Sequence, residues 1–192
     1  MSILRLAAIA VTLSALCFAL PINVAASANG GVATQSSTDF GGPASRANDG
    51  NTDGTYNNGS VSHTAFEKGA WWQVNFNSPY LIDSITIFNR TDCCQERVNT
   101  FSVSLYDALN VQVWTSGPGQ SFVVPTPNTP VTFSGINFAA SSLKVQLDGT
   151  NWLHLAEVQA LGDVTSAGPE PSTYALMAGG LAALGLLRRR KQ

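Results

Sequence analysis

Apolar and polar residues alternate with a period of two along several short runs of this chain, and little of it repeats at the spacing of a helix. The clearest run is 84–89, SITIFN, where Ile85 and Ile87 share one face. Runs rich in Val, Ile, Thr and aromatics predict strands over 33–36, 71–76, 81–89, 101–106, 111–114, 121–124, 131–133, 143–147 and 156–161. Clusters of Gly, Asn, Pro and Ser separate them. Many short strands at fairly even spacing predict an all-β antiparallel sandwich or barrel. Trp71 and Trp72 are adjacent, so in a strand one faces the core and the other points away; Trp114 and Trp152 read as core or sandwich-edge residues. The longest region without strand signals is 40–70, and a loop of that length needs something to order it.

The two ends differ from the middle. Arg5, an apolar run over 6–20 and the small-residue stretch VAASA have the layout of an export signal, with a cut expected after Ala28 and before Asn29. The last segment, 165–192, opens on Pro-Glu-Pro, continues through an apolar stretch over 173–187 and ends on Arg188, Arg189, Arg190 and Lys191. Apolar helical segments are therefore expected at both termini, around a domain over 29–164. By charge alone the tail reads as an anchor helix with its basic end in the cytoplasm. Its three-part order resembles a PEP-CTERM sorting signal. That resemblance implies a bacterial exosortase-type processing enzyme as partner, transient insertion in the inner membrane, and delivery to the cell surface or matrix.

Removing the ends changes the charge. The whole chain carries −2, whereas 29–168 holds five basic against eleven acidic residues, a net charge of −6. A nucleic-acid binder needs a basic face, so that class is excluded. Two of the five cations fall within one eight-residue string, Arg90 to Arg97, which also holds Asp92, Cys93 and Cys94. Two guanidiniums and the imidazole of His63 offer many N–H donors, and Asp92 can orient an arginine through charge-assisted hydrogen bonds. Such a set suits a neutral sugar; it also suits a surface ion-pair cluster worth little. The adjacent cysteines can close on each other in an oxidising compartment or stay as two free thiols. A hydrolase would need paired carboxylates or a nucleophile with a base in reach, and no motif here supplies them. His154 has no second ligand at zinc spacing and reads as a loop residue.

Twenty-six residues separate His63 from Arg90, and R-T-D-C-C-Q-E-R follows. This pattern resembles the F-type lectins (fucolectins), with GVATQSS, WWQVNF and LAEVQAL extending the likeness over most of the domain. The resemblance implies a galactose-binding-domain-like jelly-roll sandwich without catalysis. Its implied ligand is an L-fucose-like end of a glycan or extracellular polysaccharide. His63, Arg90 and Arg97 would donate to the sugar, Asp92 would orient the arginines, and a Cys93–Cys94 disulfide would pack on the ring. Family members place an aromatic residue before the His to cover the sugar methyl; here Tyr56 is followed by Asn57 and Asn58. The alternative is a structural surface protein of the same fold that binds another glycan or none.

The loop ANDGNTDGTYNNGS is rich in turn formers and oxygen donors, and lacks the EF-hand spacing. The resemblance implies Ca²⁺ there, held by the side chains of Asp49, Ser60 and Glu157 and by carbonyls of Arg46, Asn51 and Ala156. A carboxylate inside the apolar run LAEVQAL is costly without a partner, which a cation would provide.

Overall fold

The computed structural model describes residues 20–122 and 129–164, with Gly180 besides. Ten strands run in chain order: β1 Ile22–Asn23, β2 Val32–Gln35, β3 Ser62–His63, β4 Glu67–Lys68, β5 Trp71–Asn89, β6 Phe101–Tyr106, β7 Gln112–Thr115, β8 Val131–Leu147, β9 Thr150–Asn151 and β10 His154–Val164. Eight pair antiparallel in the order β1-β10-β5-β8-β6-β7, with β2 also on β5 and β3 also on β10. β4 and β9 form a separate pair. The fold is the antiparallel galactose-binding-domain-like sandwich that the resemblance implies.

Two predicted pairs of strands are each one long strand. The 71–76 and 81–89 runs join as β5, and the 131–133 and 143–147 runs join as β8. In β5 the buried positions are Trp72, Val74, Phe76, Tyr80 and Ile82, then Ile85 and Ile87. The parity changes at Asp83, which is skipped in the pairing with β10 and where the register with β8 also shifts, from Ile82↔Phe138 to Ser84↔Ser134. A bulge consumes one residue without turning the strand over, so the apolar face is kept. The 121–124 run departs from expectation: Ser121 and Phe122 are not in a strand, and Phe122 instead stacks on Phe101 in the core with ring centroids 5.5 Å apart. Trp72 is fully buried and its Nε1–H donates to Ala44 O at 2.9 Å, while Trp71 lies half-exposed under Lys144.

The domain starts earlier than 29. Ile22 and Asn23 pair with Gly162 and Leu161, Val24 N–H donates to Ala160 O at 2.8 Å, and Val24 and Ala25 lie in the core. Of VAASA, which resembles a cleavage site, Val24, Ala25 and Ala26 are buried, while Ser27 and Ala28 are exposed. At the other end β10 stops at Val164. The expected terminal helical segments, residues 1–19 of the export signal and the sorting tail lie outside the described residues, apart from helical Gly180. Among the described residues no helix is long and apolar enough to cross a membrane.

Candidate functional site

The region 40–70 is ordered by hydrogen bonds rather than by long strands. β3 seats His63 against His154 at the start of β10. The backbone of His63 is gripped on both sides: its N–H donates to Gly42 O at 2.9 Å, and its carbonyl accepts from Asp39 N–H at 3.0 Å and from Gln35 Nε2 at 3.2 Å. A Cβ on Gly42 would lie 2.7 Å from His63 N, so only glycine permits this approach. A second glycine, Gly54, lets the 49–55 loop close on Thr91, whose N–H donates to Gly54 O at 2.9 Å.

Arg90 follows β5 directly, and Arg97 ends the short 3₁₀ turn Gln95–Arg97. Arg90 Nε and Nη2 donate to Asp92 Oδ1 and Oδ2 at 2.5 and 3.2 Å. Asp92 Oδ2 also accepts the Tyr56 N–H at 3.2 Å. The Arg90 hydrogen bond holds the Asp92 carboxyl below its usual range, so it remains an anion that fixes the guanidinium. Between the arginines, Cys93 and Cys94 are bonded to each other. Cys94 takes φ +61°, the left-handed region.

Aromatic rings complete the wall. Tyr56 lies 5.8 Å from the His63 ring and 4.6 Å below the Arg90 guanidinium. Phe40 meets His63 edge-on at 5.1 Å. It is 67 % exposed and sits at φ +50°, held there by Tyr56 Oη donating to its carbonyl. A non-glycine residue costs on the order of 1–3 kcal/mol in that region, and the cost is accepted where the side chain must point at something. Tyr56 and Phe40 thus both place a ring edge-on against His63. On the other flank Arg97 lies 4.4 Å over the Trp152 ring, so Trp152 belongs to the site wall and not to the core.

The charge state of His63 follows from its surroundings. Burial lowers its pKa below 6.5, and the charges of Arg90 and Arg97 add to that, against the raising effects of Thr64 O and Asp39. The ring is neutral at pH 7. Its Nδ1 lies 2.8 Å from Thr64 O, and a carbonyl only accepts, so Nδ1 carries the proton. Nε2 is then a bare acceptor. The resemblance implies a donor at this position, whereas the neutral ring with Nδ1 turned to Thr64 O offers an acceptor at Nε2. Beneath it, His154 is buried in β10 rather than in a loop, its pKa pushed down to about 3 by desolvation.

Of the residues of the expected calcium site, Glu157 is brought against the 49–50 turn. Arg46 lies in the 3₁₀ turn Ala44–Ala47, and Asp49 and Asn51 follow it. Gly50 N–H donates to Glu157 Oε1 at 3.3 Å. Glu157 is fully buried, and its Oε2 has no hydrogen-bond partner among the described residues. Burial raises its pKa to about 7, and Asp49 contributes. Ser60 Oγ donates to Asp53 O, leaving lone pairs free. Ala156 has no ladder partner, because pairing with β5 skips from Leu155 to Glu157. Among the described residues no three His, Cys, Asp or Glu side chains form a metal cluster. Two carboxylates, a hydroxyl and backbone carbonyls nonetheless fit a hard cation, which takes oxygens of all three kinds.

These features define a carbohydrate-binding β-sandwich. Residues 46–167 match the model of the NedA-like, galactose-binding domain, and 169–191 match the PEP-CTERM protein-sorting motif, an export and surface-sorting signal that implies exosortase processing. Over 124 residues the chain is 33 % identical to Fucolectin-6 of Anguilla japonica, covering 60 % of this chain and 61 % of that one, so it spans about three fifths of that relative. A fucose-binding module of Streptococcus pneumoniae superposes with TM-score 0.67 at 31 % identity, covering 74 % of this chain and 96 % of the module. The lectin domain of lectinolysin, solved with Lewis B antigen, gives TM-score 0.65 at 33 % identity over 76 % and 98 %. The chain belongs to the F-type lectin (fucolectin) family, whose members bind carbohydrate and do not catalyse.

Proposed function

We propose that this lectin holds the L-fucose-like end of a glycan in the pocket between Arg90 and Arg97, with His63 at its floor. The observation that carries this is the pair of guanidiniums, each laid on an aromatic ring, Arg90 on Tyr56 and Arg97 on Trp152, either side of the Cys93–Cys94 bond. Planar donors fixed in this way give hydrogen bonds to ring and hydroxyl oxygens at little entropic cost. Cys93, Cys94, Tyr56 and Phe40 supply apolar surface for a methyl group and for C–H faces. Neutral His63 accepts from a hydroxyl, so a deoxyhexose presenting one hydroxyl there and a methyl elsewhere is matched on each side.

Ca²⁺ would be held by Asp49, Ser60 and Glu157 with carbonyls of Arg46, Asn51 and Ala156, and its chemistry would be to neutralise the two carboxylates and tie the 46–60 loop to β10. Surface sorting through the C-terminal segment, with its transient membrane insertion, would present the pocket to extracellular polysaccharide or foreign glycans. The test is retention on immobilised fucose. Arg90→Ala and Arg97→Ala are each expected to lose binding by at least about tenfold, since a hydrogen bond from a charged group contributes about 1.5–3 kcal/mol. Retention equal to the parent's, with an unchanged fold by circular dichroism, would refute the site.

A further inference from the structure

The site does not end at Arg97. β4 and β9 form a two-stranded ladder with Glu67 opposite Asn151 and Lys68 opposite Thr150. The next positions out along that ladder are Phe66 and Trp152, and their rings meet at 4.6 Å with an interplanar angle of 54°. Phe66 is 56 % exposed although the chain around it is fixed. On one side Thr64 N–H donates to Leu153 O and Leu153 N–H to Thr64 Oγ1, both at 2.9 Å. On the other, Glu67 Oε1 accepts from Ser36 Oγ at 2.5 Å and Ser37 Oγ at 2.7 Å. Burying a phenyl ring is favourable by about 1.5–3 kcal/mol, so a rigid segment that holds one in water holds it for a contact.

That contact has polar groups beside it. A cleft of about 40 Å³ is lined by Arg97, which lies over Trp152, and by Asn151, which precedes it, with Asn99, Thr100, Leu147 and Gly149 among others. Arg97 belongs both to this cleft and to the first pocket, and it covers Trp152 at 4.4 Å. Amides and a hydroxyl next to an aromatic step are what a second sugar ring needs: its C–H face lies on the rings and its hydroxyls turn to the cleft.

We propose that Phe66 and Trp152, with the Arg97–Asn151 cleft, form a second subsite for the neutral sugar that carries the terminal fucose. The two subsites share Arg97, so one glycan runs across both. The lectin is then selective for fucose by its first pocket and for the neighbouring residue by its second. This inference rests on the proposed fucose pocket.

Titration calorimetry of the full-length chain with methyl α-L-fucoside, 2′-fucosyllactose and Lewis B oligosaccharide tests it. At least one oligosaccharide is expected to bind about fivefold or more tighter than the methyl fucoside. Phe66→Ala is expected to erase that gain while leaving the methyl fucoside affinity and the melting temperature unchanged, and Phe66→Trp to retain it. A gain that survives Phe66→Ala, or parity of all three ligands in the parent, would overturn the second subsite alone. Failure of the methyl fucoside to bind would overturn the first pocket and this inference with it.

Discussion

Sugar binding should weaken on mild acidification, because of one proton on His63. Nδ1–H is committed to Thr64 O at 2.8 Å, so the neutral ring offers Nε2 only as an acceptor. A second proton turns Nε2 into a donor facing a hydroxyl already placed to donate. It also adds a third positive charge to the two guanidiniums, which an uncharged sugar cannot offset. Losing the bond and leaving the groups opposed costs about 2 kcal/mol, roughly 30-fold in affinity. The folded pKa is depressed below 6.5, first by burial and then by Arg90 and Arg97. At neutral pH the penalty is therefore absent; it grows as pH falls through the folded pKa, by at most tenfold per unit, and then levels off. The same depression means that the group's contribution to stability is complete above 6.5 and is lost as pH falls to the folded value. The other groups facing the ring do not reverse the sign. His154 stays neutral down to about 3, Asp92 is held below the usual carboxylate range and stays charged, and Asp39 is already counted among the raising effects. Titration calorimetry with methyl α-L-fucoside from pH 7.5 to 4.5, beside NMR of the His63 ring, measures both quantities. Constant or rising affinity while NMR shows the ring taking up its proton would refute the acceptor assignment.

Other outcomes follow from single contacts. Cation removal by EDTA is expected to lower the melting temperature, and calcium at about 100 times its Kd to restore about 2.7 kcal/mol; Glu157→Gln should abolish that response. A chain beginning at Asn29 lacks β1 and the buried Val24 and Ala25, and urea unfolding should show it less stable than one beginning at Leu20 by on the order of 2–4 kcal/mol. The mass of the exported protein should accordingly place its first residue at or before Ile22. Gly42→Ala sets a Cβ 2.7 Å from His63 N, and is expected to cost about 1–3 kcal/mol of stability and to lower sugar affinity by shifting β3.

Local patterns in the sequence were enough for the class. Period-two alternation in β5 reports which residues face inward, and that is decided within a few residues. The 26-residue gap before R-x-D-C-C-x-x-R was legible for a similar reason: five of the six site residues fall in one short string. What needed the folded chain were meetings between residues far apart. That β10 pairs with Ile22 and Asn23, and Ala160 with Val24, cannot be read from VAASA and its neighbours. Phe40, Phe66 and Trp152 carry no local sign of being site residues, because an aromatic in a loop reads the same whether it fills a core or faces a sugar. The direction of the hydrogen bond at His63 was hidden too, since it depends on Thr64 O lying against one nitrogen and on two arginines brought from another loop. Alternation is written in neighbouring side chains; a pocket is assembled from segments whose only relation is that the sheet brings them to the same end.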